Sequence, residues 1–360
     1  MAFSTIDWHN VMTIEDLPTY QNVVDYLAKH KERPRHLLLG NGFSVAYDFK
    51  IFSYNALSTF IENSSDDLLK QLFNTVNTKN FEEIMRQLDL FTEFSEAFGA
   101  EESFISKVTE ASEKLKRKLI DAVQSMHPEH VFKIPDEQSK SCCSYLEYYL
   151  NNGKIFSSNY DLLLYWVLVR NKCKNANDGF GRDIENLTDH YIPEEELDLS
   201  ELRWGRNNEM QTVFYLHGAL PLFDTGIEVV KEEYDGDYLL DKIKNRINNK
   251  EYPIFVTAGT AKDKLTHIMH NRYLSFCYDE LCKIKGSLVT YGFSFGENDT
   301  HIIDAINKAA KQPIDKGKLF SVYIGVYSDN DLSHIKNIEK SFKKIKLNLY
   351  NAQSVNAWGK

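Results

Sequence analysis

Five short apolar runs in this chain each stop on a cluster of glycine and small polar residues. Leu37-Leu-Leu39 runs into Gly40-Asn-Gly-Phe-Ser44, and Ile155-Phe156 runs into Ser157-Ser-Asn-Tyr-Asp161. Val213-Phe-Tyr-Leu216 meets His217-Gly218, Ile254-Phe-Val256 leads to Gly259-Thr260, and Leu288-Val-Thr-Tyr291 ends at Gly292-Phe-Ser294. Apolar runs of this length without alternation have the texture of strands buried on both faces. Helical segments separate them, and strands alternating with helices imply an α/β fold with a mostly parallel, doubly wound sheet. Lys318–Val326 and Lys346–Tyr350 read as two further strands. In such a sheet the carboxyl ends of the strands share one edge, where ligands bind.

The stretch Lys154–Asp161 is the centre of this arrangement. Asn159 and Asp161 sit two residues apart at a strand end, just before the apolar helix that opens near Leu162. Helix-start amides suit anionic ligands, but Asn and Asp are also ordinary N-caps, and on this stretch alone capping is a sufficient reading. Gly40 and Gly42 allow close backbone approach. The full Gly-x-Gly-x-x-Gly pattern is missing because position 45 is Val, so a structural strand–turn–helix junction also accounts for them.

The rest of the chain divides by texture. Residues 1–52 hold a helical lead-in, with Val23, Val24, Tyr26 and Leu27 on its apolar face and Pro34 after it, and then the first strand and glycine loop. Residues 53–150 are dominated by charged helical segments at Asp66–Asn77, Asn80–Phe91, Glu102–His127 and Ser141–Asn151. Phe81, Ile84, Met85, Leu88 and Phe91 recur there at helical spacing and are expected in a core. Residues 151–360 carry the remaining strands. Within them, 171–211 reads as a long surface excursion and Lys336–Lys346 as one helix with a charged outer face.

Composition narrows the function. Apolar residues make up 42% of the chain, enough for a sizeable core. The net charge of −10 argues against a nucleic-acid sleeve. Five cysteines, Cys142, Cys143, Cys173, Cys277 and Cys282, form no Cys-x-x-Cys pair. Reduced thiols, a cytoplasmic setting and no structural zinc are therefore expected. The start lacks a signal-peptide pattern, and no apolar run reaches the roughly 18 residues of a membrane span. Brought together, the strand ends offer glycine backbone, hydroxyls, one amide, one carboxylate and one histidine, with no lysine and no metal-ligand cluster. That inventory suits holding a dinucleotide and cleaving a glycosidic bond, with no metal ion.

The order Gly-x-Gly-x-Ser, Asn-x-Asp, His-Gly, Gly-Thr and Gly-x-Ser resembles the sirtuin-like NAD-binding family. The wording Leu39-Gly-Asn-Gly-Phe-Ser44, Ser158-Asn-Tyr-Asp161 and Leu216-His-Gly218 is most similar to bacterial sirtuin-like NADases of antiphage defence. The likeness covers 36–52 and about 150–360, with the helical block as an insertion. Paired Cys-x-x-Cys motifs of a zinc ribbon are absent, and Tyr47-Asp-Phe-Lys50 stands where deacylating sirtuins carry Pro-Asp-Phe-Arg. The resemblance therefore implies a Rossmann-like domain that hydrolyses NAD+ to nicotinamide and ADP-ribose, rather than a deacylase. It implies Asn159, His217 and Asp161 as catalytic residues: Asn159 holding ribose or water, His217 acting as general base or accepting a hydrogen bond from a ribose hydroxyl, and Asp161 near the nicotinamide carboxamide. It implies that Gly40, Asn41, Gly42, Phe43, Ser44, Ser158, Gly259 and Thr260 bind the dinucleotide, the pyrophosphate above all. Gly292, Phe293 and Ser294 would line the adenosine side, with Asp299 orienting that loop. It further implies an NAD-depleting effector held quiet by homo-oligomerisation or a regulatory subunit. A non-catalytic NAD or ADP-ribose sensor is the alternative.

Overall fold

The computed structural model describes residues 13–48, 67–76, 81–125, 127–182, 201–205, 207–234, 238–256, 260–313 and 317–360. Its strands, in chain order, are β1 (Arg35–Leu39), β2 (Ile155–Ser157), β3 (Phe180–Gly181), β4 (Leu202–Trp204), β5 (Val213–Tyr215), β6 (Gly218–Asp224), β7 (Val229–Lys231), β8 (Pro253–Phe255), β9 (Gly286–Tyr291), β10 (Leu319–Val326) and β11 (Lys346–Asn351). Six of them form an all-parallel central sheet in the order β5-β2-β1-β9-β10-β11. Counting only these six along the chain, the order is 3-2-1-4-5-6, consistent with a Rossmann-like fold. The direction of winding reverses between β1 and β9, so their carboxyl ends flank the topological switch point.

The leucine triplet explains why β1 lies at the centre. Leu37, Leu38 and Leu39 are all fully buried, each contributing on the order of 1.5–3 kcal/mol by leaving water. The sheet is covered by Asp136–Leu150 on β1 and β2, by Arg272–Leu281 on β5, and by Thr300–Ala310 and Asp329–Ile338 on β10. Tyr20–Ala28, capped by Thr19 and burying Val23 and Leu27, touches β11. The three helices Asp67–Val76, Phe81–Ala97 and Glu102–Ser125 pack chiefly on one another. There Ile84 and Leu88 are buried, while Phe91 is 49% exposed, against expectation. The side chains of Phe81 and Met85 lie outside the described residues. None of the described helices is long and apolar enough to cross a membrane.

Two expectations are corrected by the second sheet and its surroundings. The run that meets His217-Gly218 is β5, which ends at Tyr215, and β6 begins at Gly218 in a separate sheet, β3-β4-β7-β6-β8. The chain changes sheets at His217. Gly218 makes this possible, with φ of +81° and a position where a Cβ would lie 1.9 Å from the Ile254 carbonyl oxygen. First, Pro253–Phe255 is the edge strand β8, antiparallel to β6, rather than a strand of the parallel sheet. Finally, Lys336–Lys346 is not one helix, because Asp329–Ile338 gives way to a 3-10 turn and β11 starts at Lys346.

The expectation of uniformly reduced cysteines also changes. Cys143 and Cys173 are disulfide-bonded, with Cα atoms 6.0 Å apart, while Cys142, Cys277 and Cys282 are free and buried. Packing of the helix Asp136–Leu150 against Leu163–Arg170 brings the two cysteines together, a pairing that no short spacing motif announces.

Candidate active site

Four of the five strand-end clusters meet in one crevice beside the switch point. It has a volume of about 180 Å³ and is lined by Asn41 after β1, by Ser158, Asn159 and Tyr160 after β2, by His217 after β5, and by Gly292, Phe293 and Ser294 after β9. Lys264 and Asp299 complete the lining. Of the fifth cluster, Thr260 is not among the lining residues. Thr260 is an exposed N-cap whose hydroxyl accepts from the Asp263 amide of the helix Ala261–His270, and Gly259 lies outside the described residues.

The glycine loops do a mechanical task. The Gly42 amide donates to the Gly292 carbonyl at 2.9 Å, and the Gly40 amide to the Tyr291 carbonyl at 3.0 Å. These donors are therefore turned toward the facing loop. Phe43 packs on Trp358, with ring centroids 5.0 Å apart, and its carbonyl accepts from Trp358 Nε1 at 3.0 Å. A second cavity of about 280 Å³ opens beyond the contact, lined in part by Gly42, Val45, Tyr291, Tyr327, Ile335 and Asp331. Gly292, Phe293 and Ser294 border both cavities.

A buried hydrogen-bond chain fixes the amide of Asn159. Ser44 Oγ donates to Asp161 Oδ2, and Asp161 Oδ1 accepts from the Leu163 amide at 2.9 Å, closing the start of the helix Leu163–Arg170. Since the serine proton is committed to the carboxylate, Ser44 Oγ accepts from Asn159 Nδ2 at 2.9 Å. That leaves Asn159 Oδ1 buried with no hydrogen-bond partner. An unpaired buried acceptor costs about 1–3 kcal/mol, and native structures carry few of them. Here it belongs to a residue lining a crevice. Asp161 and Ser44 do not line it; they orient the residue that does.

Burial pushes the Asp161 carboxyl up to about 6, with the Ser44 and Leu163 hydrogen bonds opposing. The native state therefore holds more protons on this group than the unfolded chain between its ordinary 3.8 and about 6. Its stabilisation is complete below 3.8 and lost as pH rises through 6, about 3 kcal/mol in scale. Buried histidines act the other way. Burial lowers His36 and His301 to about 4 and His217 well below its ordinary value, so their contribution is lost as pH falls below 6.5. The whole protein should lose stability on acidification. Asp161→Asn, which mimics the protonated acid, isolates the opposing contribution: wild type should gain on the variant from pH 7 to pH 4 in denaturant titrations. A flat difference would rule out a perturbed Asp161.

His217 does not stand alone, as the sequence implied. His217 Nε2 and His301 Nε2 are 2.9 Å apart, so one ring donates to the other, and His301 Nδ1 is buried with no partner. Lys264, also buried, holds Asp299 Oδ1 at 2.7 Å. The expectation of a crevice without lysine or metal-ligating cluster is thus corrected: Lys264 lines it, and His217, Asp299 and His301 each bring a ligand atom within 4.8 Å of the others. Both missed residues sit in the first turn of a helix, Lys264 in Ala261–His270 and His301 in Thr300–Ala310. First-turn positions following a strand-end cluster were the available signal.

An α/β protein with a parallel sheet and a polar crevice at its switch point is thus defined. The chain belongs to the family described as a domain of unknown function (DUF4917), whose model matches residues 37–358. No curated protein matches it.

Proposed function

We propose that the crevice binds NAD+ and hydrolyses its nicotinamide–ribose bond. The observation that carries this is the pairing of an unpaired amide acceptor, Asn159 Oδ1, with an imidazole, His217, among the residues of one crevice at the switch point of a Rossmann-like sheet. Ligand sites in such sheets lie there. The two cavities suit a two-part ligand. Neither alone reaches the roughly 300 Å³ of ordinary small-molecule sites, but together they do. The polar one would take the nicotinamide riboside half, and the one lined by Tyr291, Tyr327 and Ile335 the adenosine half.

In this reading Asn159 Oδ1 accepts from a ribose hydroxyl or from the attacking water. Water oxygen bonds to the ribose C1′ as the bond to nicotinamide nitrogen breaks. The bonding pair neutralises the cationic ring, so the leaving group needs no acid, and His217 takes the water's proton. With His217 Nε2 donating to His301, Nδ1 keeps the lone pair for this task. Burial holds the His217 pKa well below its ordinary value, so the ring is neutral at physiological pH with a lone pair to take the proton. The same shift makes it a weaker base than a solvated imidazole, until the growing positive charge at the ribose acidifies the water. The developing oxocarbenium ion needs positioning and electrostatic stabilisation.

The resemblance to antiphage NADases extends the proposal to an NAD-depleting effector controlled by oligomerisation or a partner subunit. Commitment of His217 Nε2 to His301 favours a second reading, an NAD or ADP-ribose sensor without turnover. Following NAD+ and nicotinamide by chromatography, with and without candidate activators, separates the two. Nicotinamide release is expected; NAD+ that binds but persists under every condition would leave only the sensor.

A further inference from the structure

We propose that His217, His301 and Asp299 form a binding site for a divalent transition-metal ion such as Zn2+, opening onto the crevice. The three side chains come from two places in the chain, the sheet crossing at His217 and the start of the helix Thr300–Ala310, and their ligand atoms all lie within 4.8 Å of one another. The two Nε2 atoms are 2.9 Å apart. Two nitrogens bound to one tetrahedral zinc at about 2.0–2.1 Å lie about 3.4 Å apart. The two rings meet nearly head-on, with centroids 5.1 Å apart, so admitting an ion both spreads them by a few tenths of an ångström each and turns each ring to aim its lone pair at the metal. The rings share one proton between two nitrogens. Moving it to the far nitrogen of its own ring frees both lone pairs without net loss of a proton. Both imidazoles are buried, while Asp299 and His217 line the crevice, leaving a further coordination position for water or a ligand atom. Three protein ligands with one position open to water or substrate is the pattern of open zinc sites rather than closed structural ones.

Two features limit the affinity. Lys264 Nζ is 2.7 Å from Asp299 Oδ1 and competes with the ion for the carboxylate. His301 Nδ1 lacks the acceptor that normally backs a metal-bound histidine. The site is therefore weaker than a structural zinc centre. Binding stands on this geometry alone. Its consequence rests on the proposed function: an ion on His217 competes with the base, so Zn2+ inhibits turnover.

The test is calorimetric titration of chelator-stripped, non-reduced protein with Zn2+, and Co2+ absorption spectra in parallel. The Cys143–Glu147–Cys173 cluster is closed by its disulfide under these conditions, and sulfur ligation would be visible in the Co2+ spectrum. One equivalent is expected on nitrogen and oxygen ligands. His301→Ala and Asp299→Asn should each weaken binding by at least about tenfold, the lower end of what even an outer-sphere partner contributes. Lys264→Met should tighten it, and His270→Ala, an exposed histidine on the same helix as Lys264, should leave it unchanged. No binding, or binding indifferent to both His301→Ala and Asp299→Asn, overturns the site whatever the fate of NAD+. Binding without effect on turnover leaves the site standing and removes only the inhibition.

Discussion

Asn159→Ala is expected to lower nicotinamide release by roughly 10²–10³-fold, the loss that follows removal of a single preorganised polar group at a reacting centre. The fold should survive. Asn159 Nδ2 makes one side-chain hydrogen bond, to Ser44, with a net contribution of about 1 kcal/mol. Deleting the side chain also removes the unpaired Oδ1, which offsets part of that loss. His217→Ala should cost a further part of the range for a lost general base, roughly 10²–10⁴-fold, and the double variant should fall no lower than the worse single one if the two act as a unit. Steady-state NAD+ consumption with matched denaturant midpoints checks this. Full turnover in either variant would end the hydrolase reading, whereas equal loss of turnover and of folded protein would show that Asn159 serves only the buried hydrogen-bond chain through Ser44 and Asp161.

Much of the parallel sheet and of the crevice lining was legible in the sequence, for a physical reason. Strands buried on both faces are written as unbroken apolar runs, so Leu37–Leu39 and Leu288–Val289 announce themselves, and the small polar residues after them mark the sheet edge. What could not be read was the partnering of strands and side chains. Pro253–Phe255 has the same apolar texture as β2, yet it joins the other sheet, because β6 lies alongside it and sequence texture does not record the neighbour. Asp161 shows the same limit in a side chain. Its spacing from Asn159 suggested a ligand contact, and capping was the competing reading. In the structure it caps the helix start and, through Ser44, sets the direction of the Asn159 amide. His301 and Lys264 were passed over because each sits in a helix with ordinary amphipathic texture, and only the packing of those helices turns both toward His217.

Gly292→Ala should be among the most damaging single-methyl changes available to this chain. Gly292 has φ of +68°, and a Cβ there would lie 2.5 Å from both Gly42 Cα and the Phe43 amide nitrogen. Those neighbours are backbone, so no side-chain rotation relieves the contact, and the two loops at the switch point must part. Parting them breaks the Gly42–Gly292 hydrogen bond and moves the residues that border both cavities. A destabilisation of about 3 kcal/mol or more is expected, in the upper range for backbone strain at a special conformation. Gly226→Ala is the matched control. Its φ of +84° imposes the same left-handed penalty, but nothing lies within 4 Å of the added methyl, so about 1–2 kcal/mol should be lost. Urea midpoints of the two variants separate conformational strain from steric contact. Equal losses would mean that the switch point tolerates a wider gap than the glycine pair provides, and dinucleotide binding should then survive in Gly292→Ala. The predicted excess, accompanied by lost binding, would place the glycine–glycine contact at the base of the site.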